Sequence, residues 1–247
     1  MSDDFYIGYS GSAPTALAKL NRRIIAGVGV LLAVIAAAIA FRQVPADPGF
    51  FGFGIATEFE GTLYETPLPI LRTVAGNGAV TNYLLVGEGK FGPPAYALGH
   101  DGQRVRFKGS LIQTGRSAMI ELNDQRSFQV LGPELAAAQR PQAMIVGNVV
   151  LTGELVDTKC YLGVMRPAVG KVHRACAVRC LSGGVPPGLL VKDQAGNQIA
   201  VPLVGANGGL LSINPQWAAR TLTVEGTLEV VDGTPFLHAT KIRLTNP

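Results

Sequence analysis

The chain opens with one long unbroken apolar run and then changes to short alternating ones. Ile24 to Phe41 reads IIAGVGVLLAVIAAAIAF without a charge, which as a helix spans roughly 27 Å and approaches the hydrocarbon thickness of a bilayer. Lys19, Arg22 and Arg23 precede it, and only Arg42 follows before Asp47. The excess of cations on the N-terminal side predicts residues 1–23 in the cytoplasm and the body outside, in a bacterial periplasm, with the chain single-pass in the inner membrane. A cleaved signal peptide is the rival reading, since Ala38-Ile39-Ala40 offers a small-x-small site; the long leader before the run favours a retained anchor. Gly27, Gly29, Ala33, Ala36 and Ala37 permit close approach of a second membrane helix. Ahead of the run, Phe5, Tyr6 and Tyr9 suit an interfacial tail, followed by a weakly amphipathic stretch from Pro14 to Arg23.

After the exit PGFFGFGIA the periodicity falls to two. Two passages share a rhythm: a strand with the pattern x-G-x-L, an irregular insertion, a hairpin with glycine-containing turns, and a last pair of strands. In the first, FEGTLY leads to NYLLVGEGKFG and VRFKGSLIQTGRSAMIEL. In the second, LTGELVDTKCYLG leads to GLLVKDQAGNQIAVPLV and LTVEGTLEVVDGTPFLHATKIRL. Arg104 to Ile112 and Thr221 to Val230 alternate apolar and polar residues, each broken by a glycine, Gly109 and Gly226, where a strongly bent strand tolerates one. Short twisted strands with glycine bends predict a mainly β protein of two small antiparallel barrels, about residues 57–131 and 146–247. Gly132 to Ala143 links them, with room for a helical turn or two between prolines.

On Gly61-Thr62-Leu63 with Val105-Arg106-Phe107-Lys108-Gly109, and on Gly153-Glu154-Leu155 with Leu222-Thr223-Val224-Glu225-Gly226, both halves resemble the OB-like five-stranded barrels of bacterial membrane-anchored cell-envelope proteins. That resemblance implies a fold and no single activity, because such barrels host many.

Composition agrees with this picture. The 247 residues include 31 Gly and 16 Pro with only 15% charged positions, a turn-rich β balance. The net charge of +4 suits a phosphate-rich partner or an anionic lipid surface, or simply a solvated basic face, and the external placement of the body leads us to expect no nucleic-acid partner.

All chemistry with a pattern lies in DTKCYLGVMRPAVGKVHRACAVRCLSGG. If Val172 to Leu181 is a helix ended by Ser182-Gly183-Gly184, then His173, Cys176 and Cys180 share one face at i, i+3 and i+7. Cys160, at the end of the strand that begins near Leu151, can return to complete a Cys3His set for zinc or an iron–sulfur centre. The spacing C-x12-H-x2-C-x3-C matches no common finger. The competing readings are a disulfide from Cys160 to one of the helical cysteines, leaving an odd thiol, or simply buried thiols. Lys159, Arg166, Lys171, Arg174 and Arg179 read as a solvated basic rim that also lowers thiol pKa values, and Met165 reads as packing. Trp217 is expected to cover the second barrel's core.

No c-type haem attachment motif, P-loop, dinucleotide fingerprint or nucleophile elbow is present in the sequence. The expectation is therefore an accessory or assembly subunit of a membrane-bound, redox complex, in contact with integral-membrane subunits and lipid and without catalysis of its own. The alternative is a periplasmic metal or haem carrier.

Overall fold

The structure, a computed structural model, describes residues 14–42, 49–115, 117–133, 141–192 and 197–245. The aromatic tail and most of the linker lie outside these residues. The chain divides into two units, Met1–Ala46 and Asp47–Pro247, taken here in turn. In the first, helix α1 runs Thr15–Arg42 and contains the whole apolar run. Its mean hydropathy reaches 2.8 and none of that segment is buried. At 28 residues the helix is about 42 Å long, enough to cross a hydrocarbon core with its polar first turns beyond it.

The second unit is β-rich. Strands β2 (Thr57–Tyr64), β3 (Ile70–Val74), β4 (Val80–Gly87), β5 (Gln103–Thr114) and β6 (Ser117–Leu122) close in the order β5-β2-β3-β4-β6, β6 returning to β5. Short strands β1 (Phe50–Phe51) and β7 (Gln129–Pro133) add to β5. Strands β8 (Ala143–Asp157), β9 (Pro187–Lys192), β10 (Gln198–Gly205), β11 (Thr221–Val231) and β12 (Thr234–Leu244) close as β10-β12-β11-β8-β9. In each barrel the third and fifth strands pair in parallel, β4 with β6 and β10 with β12, and every other pairing is antiparallel. The two rings therefore have one connectivity, that of an OB-like barrel.

The glycines of the sequence rhythm sit where strands cross at close quarters. A side chain on Gly61 would collide with the Arg72 carbonyl oxygen, and one on Gly153 with that of Leu190. These are equivalent places, where the first strand of each barrel passes over the second. Gly226 lies at a bulge in β11, against the carbonyl of His238. Gly226→Ala is expected to cost about 1–3 kcal/mol by overpacking, read as a fall in the denaturant midpoint without a change in slope.

Inward-facing residues build a core in each barrel, Leu63, Leu85, Val105, Phe107 and Ile120 in the first and Leu155, Leu189, Leu203, Leu222 and Leu237 in the second. Trp217 packs against the second core. A third cluster belongs to neither barrel alone: Leu68, Ile70, Leu84, Ile112 and Met119 of the first pack with Leu162, Val204, Val231 and Phe236 of the second. One end of this seam carries a buried ion pair, Arg72 Nε to Asp232 Oδ2 at 2.7 Å with side chains 6% and 7% exposed. Beside it Asn82 Nδ2 donates to the Val231 carbonyl at 3.0 Å. The barrels are fused through apolar area and buried polar contacts rather than strung on a flexible linker.

Candidate metal centre

The insertion between β8 and β9 differs from its counterpart in the first barrel because it holds a helix. Beyond β8 the chain tightens into a π-type turn at Cys160–Val164, with Asp157 Oδ1 accepting the Cys160 N–H at 2.8 Å. Helix α2 then runs Gly170–Ser182. Its first N–H, of Gly170, is taken by Glu154 Oε1 at 2.6 Å, a carboxylate at the positive end of the helix dipole. Gly183 and Gly184 end it, Gly184 with φ of +89°, and the Val185 N–H returns to the Cys180 carbonyl, the usual glycine stop.

This framework brings the three thiols together. Cys160 Sγ lies 3.7 Å from Cys176 Sγ and 3.9 Å from Cys180 Sγ. All three sulfurs fall within 4.8 Å of one another, with Cys160 and Cys180 buried and Cys176 half-buried. None is in a disulfide. A metal about 2.3 Å from each sulfur sets them about 3.8 Å apart in a tetrahedron and about 4.0 Å apart in a triangle. The spacing fits a bound metal, and the cluster could hold one.

His173 shares the helix but not the thiol cluster. Its Nε2 lies 2.9 Å from Asp157 Oδ2, and with Asp157 and Cys160 it forms a second group of ligand-capable atoms. Its Nδ1 is buried without a hydrogen-bond partner among the described residues. Burial works against ionisation of Asp157, but the hydrogen bonds from His173 and the Cys160 N–H outweigh it and hold the carboxyl below its usual range. Among the thiols, hydrogen bonding to Cys180 and burial push Cys160 up, and the same bond draws Cys180 down.

Two lysines tie this site to the first barrel. Lys90 Nζ, from the loop after β4, lies 2.8 Å from Cys176 Sγ and 3.9 Å from Cys180 Sγ; the first of these contacts raises its pKa. Nothing in the sequence flags Lys90, which sits in the other half of the chain. Lys159, expected on a solvated rim, is instead 1% exposed. Its ammonium pairs with Glu121 and donates to the carbonyls of Gly87 and Gly89 at 2.7 Å each. It therefore clamps the loop that carries Lys90, and the Gly92 N–H binds the Gly183 carbonyl at 2.9 Å from the far side of α2. Alongside, a cleft of about 790 Å³ opens on the seam, lined by Phe91, Pro94 and Tyr96 of the first barrel and Gly184 and Leu210 of the second. Met165 is 41% exposed.

No protein-family model matches the chain, and no curated protein matches it, so no envelope-protein relative is shown. Among solved structures, the chain is similar to a deletion mutant of the single-stranded DNA-binding protein from Thermus aquaticus, at 13% identity and a TM-score of 0.24, over 81% of this chain and 96% of that one. This finding corrects one expectation. The absence of a nucleic-acid partner, inferred from charge and topology, is withdrawn, because an OB-like barrel is a scaffold on which oligonucleotides are bound and a net charge of +4 is no bar to it. At that TM-score the likeness carries no argument in the other direction either.

Proposed function

We propose that the chain is an assembly subunit of a membrane-bound complex, held by α1 in the bacterial inner membrane with residues 1–23 cytoplasmic and the double barrel periplasmic. The observation that carries the reading is the outer half of β8. That strand pairs with β11 over Ala143–Glu154 but with β9 only at Glu154–Asp157. Its other edge, over 143–153, has no strand partner among the described residues. On this open stretch Met144, Ile145 and Val146 are 61%, 62% and 54% exposed, and Val150 is 64% exposed. A register shift leaves Val146 as an extra residue between Gly147, opposite Leu228, and Ile145, opposite Glu229, and the row stays apolar through it. Natural edge strands are normally blunted by charge or cover as well as by bulges, and an apolar one with neither charge nor cover marks a contact surface. An integral-membrane subunit presenting a strand or apolar face outside the bilayer is the fitting partner. The redox character of the complex rests on the soft donors Cys160, Cys176 and Cys180 near its seam.

The alternative, a metal carrier, draws support from the half-exposure of Cys176 at the cluster's rim. The two readings separate on one variant. Ile145→Lys with Val146→Glu should release the co-purifying subunits in mild detergent while moving the melting temperature of the isolated chain by no more than about 1 kcal/mol equivalent. Retention of the same proteins in unchanged stoichiometry would leave the exposed edge without a role.

A further inference from the structure

We infer that the thiol cluster is a three-coordinate site for a thiophilic monovalent cation, cuprous ion, and that Lys90 of the opposite barrel is its positioning counter-charge. The inference rests on the metal reading of the cysteines and is independent of whether the β8 edge docks a partner.

Ligand number decides the class of ion. The observed sulfur separations of 3.7 and 3.9 Å span the tetrahedral and trigonal values, so distance alone selects neither. A tetrahedral zinc site needs a fourth donor. The imidazole that the sequence offers for that corner is turned to Asp157 and groups only with Asp157 and Cys160, not with Cys176 and Cys180. The non-sulfur groups beside the thiols are the Asp157 carboxylate, whose two oxygens are taken by the Cys160 N–H and by His173 Nε2, and the Lys90 ammonium, which has hydrogens to donate and no lone pair to give. Three soft sulfurs with a cationic neighbour match an ion that is satisfied by three thiolates and carries a single charge. Thiolates favour cuprous ion, zinc and iron–sulfur clusters, and of these cuprous ion is the one that three sulfurs alone satisfy.

Charge explains the lysine. Three thiolates around a monovalent ion leave two negative charges at a site whose deeper members are buried, and an ammonium 2.8 Å from one sulfur offsets one of them. Because Lys90 belongs to the loop that Lys159 and Gly183 clamp, ion binding by the second barrel is set by the fit of the first. Metal retention then reports the integrity of the seam.

The test uses the full chain purified in detergent under anaerobic conditions from cells supplied with copper and zinc. Metal analysis should give one copper per chain, and X-ray absorption should show three sulfurs and no imidazole. Lys90→Gln should lose cuprous ion to a chromophoric cuprous chelator at roughly tenfold lower chelator concentration, whereas Lys90→Arg should hold it near the wild-type level. A four-coordinate zinc with an imidazole ligand would overturn the proposal, as would a metal-free protein with Cys160 disulfide-bonded. Equal retention by wild type and Lys90→Gln, with both folded by circular dichroism, would remove Lys90 from the site.

Discussion

Lys159→Ala should lower the stability of the double barrel by about 3–5 kcal/mol, because it leaves the Glu121 carboxylate and the Gly87 carbonyl buried without their cation. For a unit of this size that corresponds to roughly 6–20 °C in melting temperature. The ion pair has side chains 1% and 7% exposed, so solvent cannot replace the lost partner. The loss is expected to be strongly non-additive. In Lys159→Met combined with Glu121→Leu the unpaired charge is gone, and the double variant should recover most of the loss, since buried ion pairs replaced by packed apolar groups are often neutral. A single variant that melts within 1 °C of wild type would show that Lys159 does not hold the seam.

The second large effect concerns Cys176→Ser. Of the three thiols it is the half-buried one, so the substitution carries little packing or desolvation penalty of its own and reports chiefly on the ion. With metal at about a hundredfold excess over its dissociation constant, binding contributes about 2.7 kcal/mol to the folded state. The variant should therefore melt some 5–11 °C below the loaded wild type. After chelation under reducing conditions the two should coincide. The same gap before and after chelation would mean that the cysteine acts through packing or a disulfide instead.

The periodicity of two and the repeated x-G-x-L strand made the barrels legible, because each depends on local alternation and on glycines that mark close strand crossings at Gly61, Gly153 and Gly226. Helix α2 was legible for similar reasons, its glycine stop lying in plain sequence. The seam was not. No pattern in the sequence sets Phe236, Leu162, Ile70 and Met119 apart from other apolar strand and loop residues, and their meeting in one cluster depends on how two finished barrels lie together. Lys159 shows the same limit. It follows the polar Asp157 and Thr158 and was grouped with Arg166, Lys171, Arg174 and Arg179 as a solvated rim, and only Glu121 with the Gly87 and Gly89 carbonyls of the other barrel explains its burial. His173 lies on the helix as spacing predicts and groups with Cys160, while its Nε2 is held by Asp157, which spacing alone does not reveal. Residues at i, i+3 and i+7 share a face, but Asp157 draws the imidazole to itself, and the cation beside the sulfurs comes from Lys90, seventy residues before Cys160.

The most direct test of the subunit account is isolation of the chain from its native membranes through a C-terminal tag, in mild detergent, with cross-linking and identification of every protein recovered. The account predicts one or more integral-membrane proteins in fixed stoichiometry with the chain. Recovery as a lone monomer, with no cross-linked partner before or after solubilisation, would contradict it.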